Sequence, residues 1–149
     1  MAGQECRGRQ PTEAITLYSS ILAAAPQHVV ALNNLAELLA RSGKATEALT
    51  LTRQAVGLQP QHPLVRDTAG WVAFQAGHIE EALLHLGEAV RLAPKQGISH
   101  YHLAKAFFAQ HHQDDAGPAL KLALECGLQG ADKQDAEQLL ATLSLPSAR

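Results

Sequence analysis

Residues 29–60, "VVALNNLAELLARSGKATEALTLTRQAVGLQP", carry the pattern that decides the fold. Val29, Leu32, Leu35, Ala36 and Leu39 recur at spacings of three or four, the signature of one apolar face on an α-helix. Gly43 then stops the run, as a residue able to adopt a left-handed conformation does at a helix end. A second periodic run, Ala48, Leu51, Ala55, Val56 and Leu58, ends at Pro60, whose ring cannot continue a helix. The stretch predicts two antiparallel helices joined by a short turn.

The same hairpin recurs outward in both directions at a fixed interval. Pro26, Pro60 and Pro94 lie 34 residues apart. Ala14, Ala48, Ala82 and Ala116 keep that interval, as do Ile21, Ala55, Ala89 and Ala123, and Gly43 pairs with Gly77. Small residues where two helices must cross allow their backbones to approach. Repetition at this period predicts a solenoid in which each unit buries its apolar face against its neighbours. No useful strand-like alternation appears.

These residues resemble the tetratricopeptide repeat family. Its small first-helix residue is matched by Ala36, Gly70 and Ala104, its turn glycine by Gly43 and Gly77, and its closing proline by Pro26, Pro60 and Pro94. The preceding leucine-type position holds Leu35 and Leu103, but Ala69 in the middle unit. The resemblance implies an all-α solenoid of antiparallel helical hairpins in a single domain, 1–149. It divides into a half repeat at 12–28, full repeats at 29–62, 63–96 and 97–130, and a capping helix at 131–143. "HPLVRDTAGWVAFQAG" and "SHYHLAKAFF" are also similar to C-terminal repeats of large bacterial members in exopolysaccharide and PEP-CTERM export systems.

The third unit departs from the pattern. His111 stands at the turn glycine, and Gly117 and Pro118 fall near the start of its second helix. Because proline is tolerated in a first turn, this helix is expected to begin near Asp115. At the other end, a helix over Thr12–Ala25 lacks the partner of a full hairpin. Ile15, Leu17, Tyr18, Ile21 and Leu22 are therefore expected to lose part of their cover, which offers a surface for homo-oligomerisation.

The chain has 149 residues, 46% hydrophobic, with a formal charge of −2, so no overall field favours nucleic acid or an anionic membrane. Cys6 and Cys126 form no CxxC motif or disulfide framework, and reduced thiols are expected. The polar first residues, "MAGQECRGRQP", lack the apolar core of a signal peptide, and no apolar run is long enough to cross a membrane. The chain as given reads as cytoplasmic, whereas a fragment of an exported parent would need no signal of its own.

In the family, function lies on the concave surface lined by the first helix of each hairpin, so equivalent positions form rows. Val30, Leu64 and Ile98 make an apolar row, Asn33, Asp67 and Tyr101 a mixed one, and Asn34, Thr68 and His102 a polar one. Glu37, Trp71 and Lys105 form another beside Ala40, Phe74 and Phe108, with Arg41 at the end of the first of these helices. Apolar margins around a polar middle suit an extended peptide or a helix. Val72, Ala73 and Ala69 point toward helix partners, and Trp71 with Phe74 falls on the other side. The family's carboxylate clamp uses lysines, asparagines and an arginine. Here Asn33, Glu37, Thr68, Ile98 and His102 occupy those positions and provide no cationic clamp.

Two other classes of function are weaker. "HHQDD", 111–115, and the pair Glu81 and His85 offer metal-ligating side chains, but neither brings a third or fourth ligand. The first reads as a solvated turn with capping aspartates, the second as an exposed pair, and no metal or other cofactor is expected. HExxH, GxSxG, GxxxxGK[ST] and GxGxxG are absent, which argues against an enzyme. An RNA-binding solenoid would need a track of cations, whereas Arg41 and Lys105 stand against Glu37 and Asp67. The sequence therefore predicts a protein-interaction scaffold.

Overall fold

A computed structural model describes residues 2–144, with side chains from Pro11 onward. Among the described residues, eight helices follow one another: α1 (Ala2–Ala24), α2 (Val29–Arg41), α3 (Ala45–Leu58), α4 (Pro63–Gln75), α5 (Ile79–Leu92), α6 (Gly97–Ala109), α7 (Gln113–Glu125) and α8 (Gly130–Ser144). Three hairpins, α2 with α3, α4 with α5 and α6 with α7, stack in sequence, with α1 against α2 and α8 against α7. The first helices α2, α4, α6 and α8 also meet in order, forming one side of the solenoid.

The punctuation works as the periodicity predicts. Gly43 and Gly77 take φ values of 81° and 82°, a left-handed conformation that lets the chain reverse within one short turn. Pro63 occupies the first turn of α4, where no intrahelical N–H bond is lost. At α2 the His28 Nδ1 accepts the Ala31 N–H at 3.2 Å, capping the helix. Arg66 and His100 occupy equivalent positions, and each donates to the carbonyl of the proline closing the previous helix, Pro60 at 2.7 Å and Pro94 at 2.8 Å.

The core follows the small residues. Ala48, Ala82 and Ala116, with Ala55, Ala89 and Ala123, are all fully buried, so the crossing points contain almost no side-chain bulk. Gly70 marks the tightest approach, because a Cβ there would lie 2.5 Å from Leu86 Cγ. Leu32, Leu86 and Leu120, one per unit, fill the space beside these contacts.

Three local expectations are corrected. Helix α7 starts at Gln113, not near Asp115, so Pro118 lies beyond the first turn. Pro118 and Asp114 are both exposed, which lets water satisfy the Asp114 carbonyl that proline cannot bond. Helix α1 starts at Ala2 rather than near Thr12 and contains Pro11. Finally, Glu81 and His85 are not an exposed pair. His85 is buried and its Nδ1 accepts from Arg66 at 2.9 Å, while Glu81 receives two bonds from Arg53 at 2.9 and 2.8 Å.

The predicted loss of cover on α1 is visible. Leu17 is 59% exposed, Ile15, Tyr18, Ile21 and Leu22 are half-buried, and only Leu22 of these packs against a buried cluster. Cys126 is a free, half-buried thiol, and the Cys6 side chain lies outside the described residues. Among the described residues, no helix is long and apolar enough to cross a membrane.

Candidate functional site

Each first helix turns one side toward its hairpin partner, which leaves the opposite side facing the solenoid's concave surface. On α4, Ala69, Val72 and Ala73 are buried, and Trp71 stands half-buried on the other side. The indole stacks on the His102 imidazole of α6, with centroids 4.1 Å apart and planes within 15°. It also stacks on Phe74, one helical turn along, at 5.1 Å. Both are offset or parallel arrangements favoured by aromatic rings.

Beside this stack lies a cavity of about 440 Å³. Leu64 and Ile98 supply its apolar wall with Trp71, and Glu37, Arg41 and Asp132 bring charge. Asp67 and Thr68 line it as well, both buried. The Asp67 carboxylate accepts from His102 Nδ1, with both oxygens at 3.1 Å, so the two helices are joined by a buried polar contact under the stacked rings. Leu64 and Val30 remain 49% and 61% exposed, so two large aliphatics face water along this margin rather than packing at the hairpin edge.

Other sequence-predicted groove residues are already engaged. Tyr101 is buried, its hydroxyl donating to Asp135 Oδ2 at 2.7 Å, and Lys105 Nζ reaches the same oxygen at 2.9 Å. The Lys105 and Tyr101 hydrogen bonds hold the Asp135 carboxyl below its usual range, while burial and Asp135 push the Tyr101 phenol well above its own. These residues fasten α6 to α8. Asn34 donates to the Tyr18 hydroxyl at 3.1 Å and fastens α2 to α1. Phe74 packs partly into the core, and Phe108 is half-buried away from the cavity. Asn33 is buried and lines a recess of about 60 Å³ together with Leu64 and Val30.

Asp132 and Asp135 were absent from the sequence-predicted site because residues 131–143 read as a cap. The signal was present: Asp132 lies 34 residues after Ile98, and Asp135 lies 34 after Tyr101. Helix α8 thus continues the register of the first helices. As for metals, among the described residues no three His, Cys, Asp or Glu side chains gather as ligands.

Stacked helical hairpins in a 34-residue register, with an open face formed by the first helix of each, define a helical-repeat solenoid. Two tetratricopeptide repeat models match residues 8–70 and 68–142, and the chain belongs to the tetratricopeptide repeat family. No curated protein matches it in sequence. Among solved structures it is similar to MamA, with a TM-score of 0.78 at 18% identity over 96% of this chain and 82% of that one. The first TPR domain of Spaghetti (RPAP3), bound to the HSP90 peptide SRMEEVD, gives 0.71 at 19% identity over 79% and 91%. The Yersinia enterocolitica type III secretion chaperone SycD, in complex with a peptide of the translocator YopD, gives 0.67 at 17% over 75% and 88%. These likenesses establish the fold.

Proposed function

We propose that the concave face binds an extended or helical segment of another protein and performs no chemistry. The observation that carries this reading is the cavity beside Trp71, where a stacked aromatic and the exposed Leu64 form an apolar anchor site bordered by polar groups. Interfaces concentrate their energy at such places, because one desolvated aromatic removes much area from water while its surroundings set orientation. The Spaghetti and SycD domains, which share the fold, each hold a peptide. The His102 Nδ1 contact with Asp67 and its stack on Trp71 brace the floor of this anchor site.

Selection from a displayed library of random peptides of about twelve residues tests the reading, since a groove of this kind accepts short segments. Binders are expected to lose affinity by about tenfold or more on Leu64→Asn, a neutral change at an exposed position that removes the apolar wall without adding charge. Peptides that bind wild type and Leu64→Asn equally would place recognition elsewhere.

A further inference from the structure

The cavity beside Trp71 has a charge opposite to that of a carboxylate clamp. Glu37 from α2, Asp67 from α4 and Asp132 from α8 converge on it, and among the described residues Arg41 is the one side chain of firm positive charge on its wall. The whole chain carries a formal charge of only −2, so this is a local concentration. Glu37 and Asp132 are exposed and make no ion pair or hydrogen bond among the described residues, whereas Asp135 nearby on α8 is held by Lys105. Two carboxylates against the single Arg41 guanidinium therefore leave the cavity with an excess of negative charge.

A second, independent feature asks for a donor. Asn33 is 4% exposed, yet its Oδ1 accepts no hydrogen bond among the described residues. It lines the small recess that adjoins the cavity at Leu64. A buried acceptor left without a donor is costly, and a turn of the Asn33 amide into the recess lets a ligand's N–H groups relieve that cost. The apolar wall of Leu64, Ile98 and Trp71 narrows the class further, because a bare cation gains nothing from it. A long side chain whose methylenes lie on that wall while its head reaches the carboxylates uses both.

Resting on the peptide-groove reading, we infer that this cavity seats an arginine or lysine side chain of the bound segment, with Glu37 and Asp132 as its counter-charges. Full-length protein is used to select displayed random peptides of about twelve residues, and the best binder is then resynthesised with each arginine replaced by citrulline and each lysine by norleucine. One such replacement, and separately the Glu37→Gln/Asp132→Asn double variant, is expected to weaken binding by about tenfold or more, and added salt to weaken wild-type binding more than that of the double variant. Circular dichroism of the double variant checks that the fold is kept. Binders that depend on Leu64 and Trp71 but carry no basic residue, tolerate its neutral replacement, or share an acidic consensus would overturn the inference and leave the groove reading standing. Failure to select any peptide sensitive to Leu64→Asn would overturn both.

Discussion

The His102 imidazole lies parallel to the Trp71 indole, 4.1 Å between centroids, and donates through Nδ1 to the buried Asp67 carboxylate. One side chain thus holds an aromatic wall and a buried anion in place across two repeats. His102→Ala removes the stack and strips Asp67 of its donor, and is expected to cost about 2–4 kcal/mol of stability. Trp71→Ala removes a half-buried ring and leaves the Asp67 contact, so a loss of about 1–2 kcal/mol is expected, below the roughly 3–5 kcal/mol of an enclosed aromatic. Urea unfolding of both variants checks the order; a larger loss in Trp71→Ala would contradict it.

His85 makes stability depend on pH. Burial first, then the Arg66 guanidinium, holds its imidazole below the ordinary histidine value, and Glu81 opposes this only in part. The unfolded chain therefore takes up this proton at higher pH than the folded one. The stability contributed is full above the unfolded value and is lost as the pH falls toward the depressed folded value. Between about pH 7.5 and 5.5 the wild-type urea midpoint should fall, and His85→Gln should fall less, since its amide does not titrate there. Glu81, held low by Arg53, keeps its charge over this window. Parallel pH profiles for the two proteins would refute the assignment.

His111 adopts φ of 60° at the turn where the two preceding hairpins carry Gly43 and Gly77. A left-handed conformation costs an L-residue roughly 1–2 kcal/mol, and glycine's extra freedom in the unfolded chain returns roughly 0.5–1 kcal/mol of that. His111→Gly should therefore stabilise by about 0.5–1 kcal/mol, read as a raised melting temperature. An unchanged or lower value would show that the imidazole makes a compensating contribution.

Gly70 lies against Leu86, whose Cγ and backbone nitrogen would stand 2.5 and 3.0 Å from an added Cβ. Alanine gains about 1 kcal/mol of helix propensity at such a position, but overlap with a fully buried leucine costs about 1–3 kcal/mol. Gly70→Ala should lower the melting temperature despite the propensity gain. A rise would mean that α4 and α5 separate without penalty.

Most of the fold was legible because the 34-residue period is imposed by packing: Ala48, Ala82 and Ala116 repeat since a larger side chain would separate the crossing helices. That Trp71 stands apart from the buried face of Val72 and Ala73 was legible from their helical spacing, and it lines the cavity half-buried. What periodicity cannot show is which groove side chains are already spoken for. Tyr101 and Lys105 belong to two rows read as facing the groove, but Asp135 captures both, and that partner became visible only with α8 packed in place. His85 misled for the same reason, since its spacing from Glu81 suits an exposed pair until Arg66 from the preceding helix covers it. The start of α7 shifted because Pro118, read as lying in a first turn, is tolerated inside a helix where water satisfies the Asp114 carbonyl it leaves unbonded, and the start of α1 shifted because the repeat count marks only the part of the helix that belongs to the half repeat.

Trp71 is the only tryptophan, so its indole N–H gives a single resonance that reports on the cavity alone. Titrating isotopically labelled protein with a selected peptide, and following that signal, tests whether the concave face is the binding surface. The account predicts a saturable shift of the indole signal accompanied by changes at Leu64, Ile98 and His102. An indole signal that stays fixed while residues around the exposed Leu84 of α5 or Leu122 of α7 respond would place the partner on the second helices and contradict it.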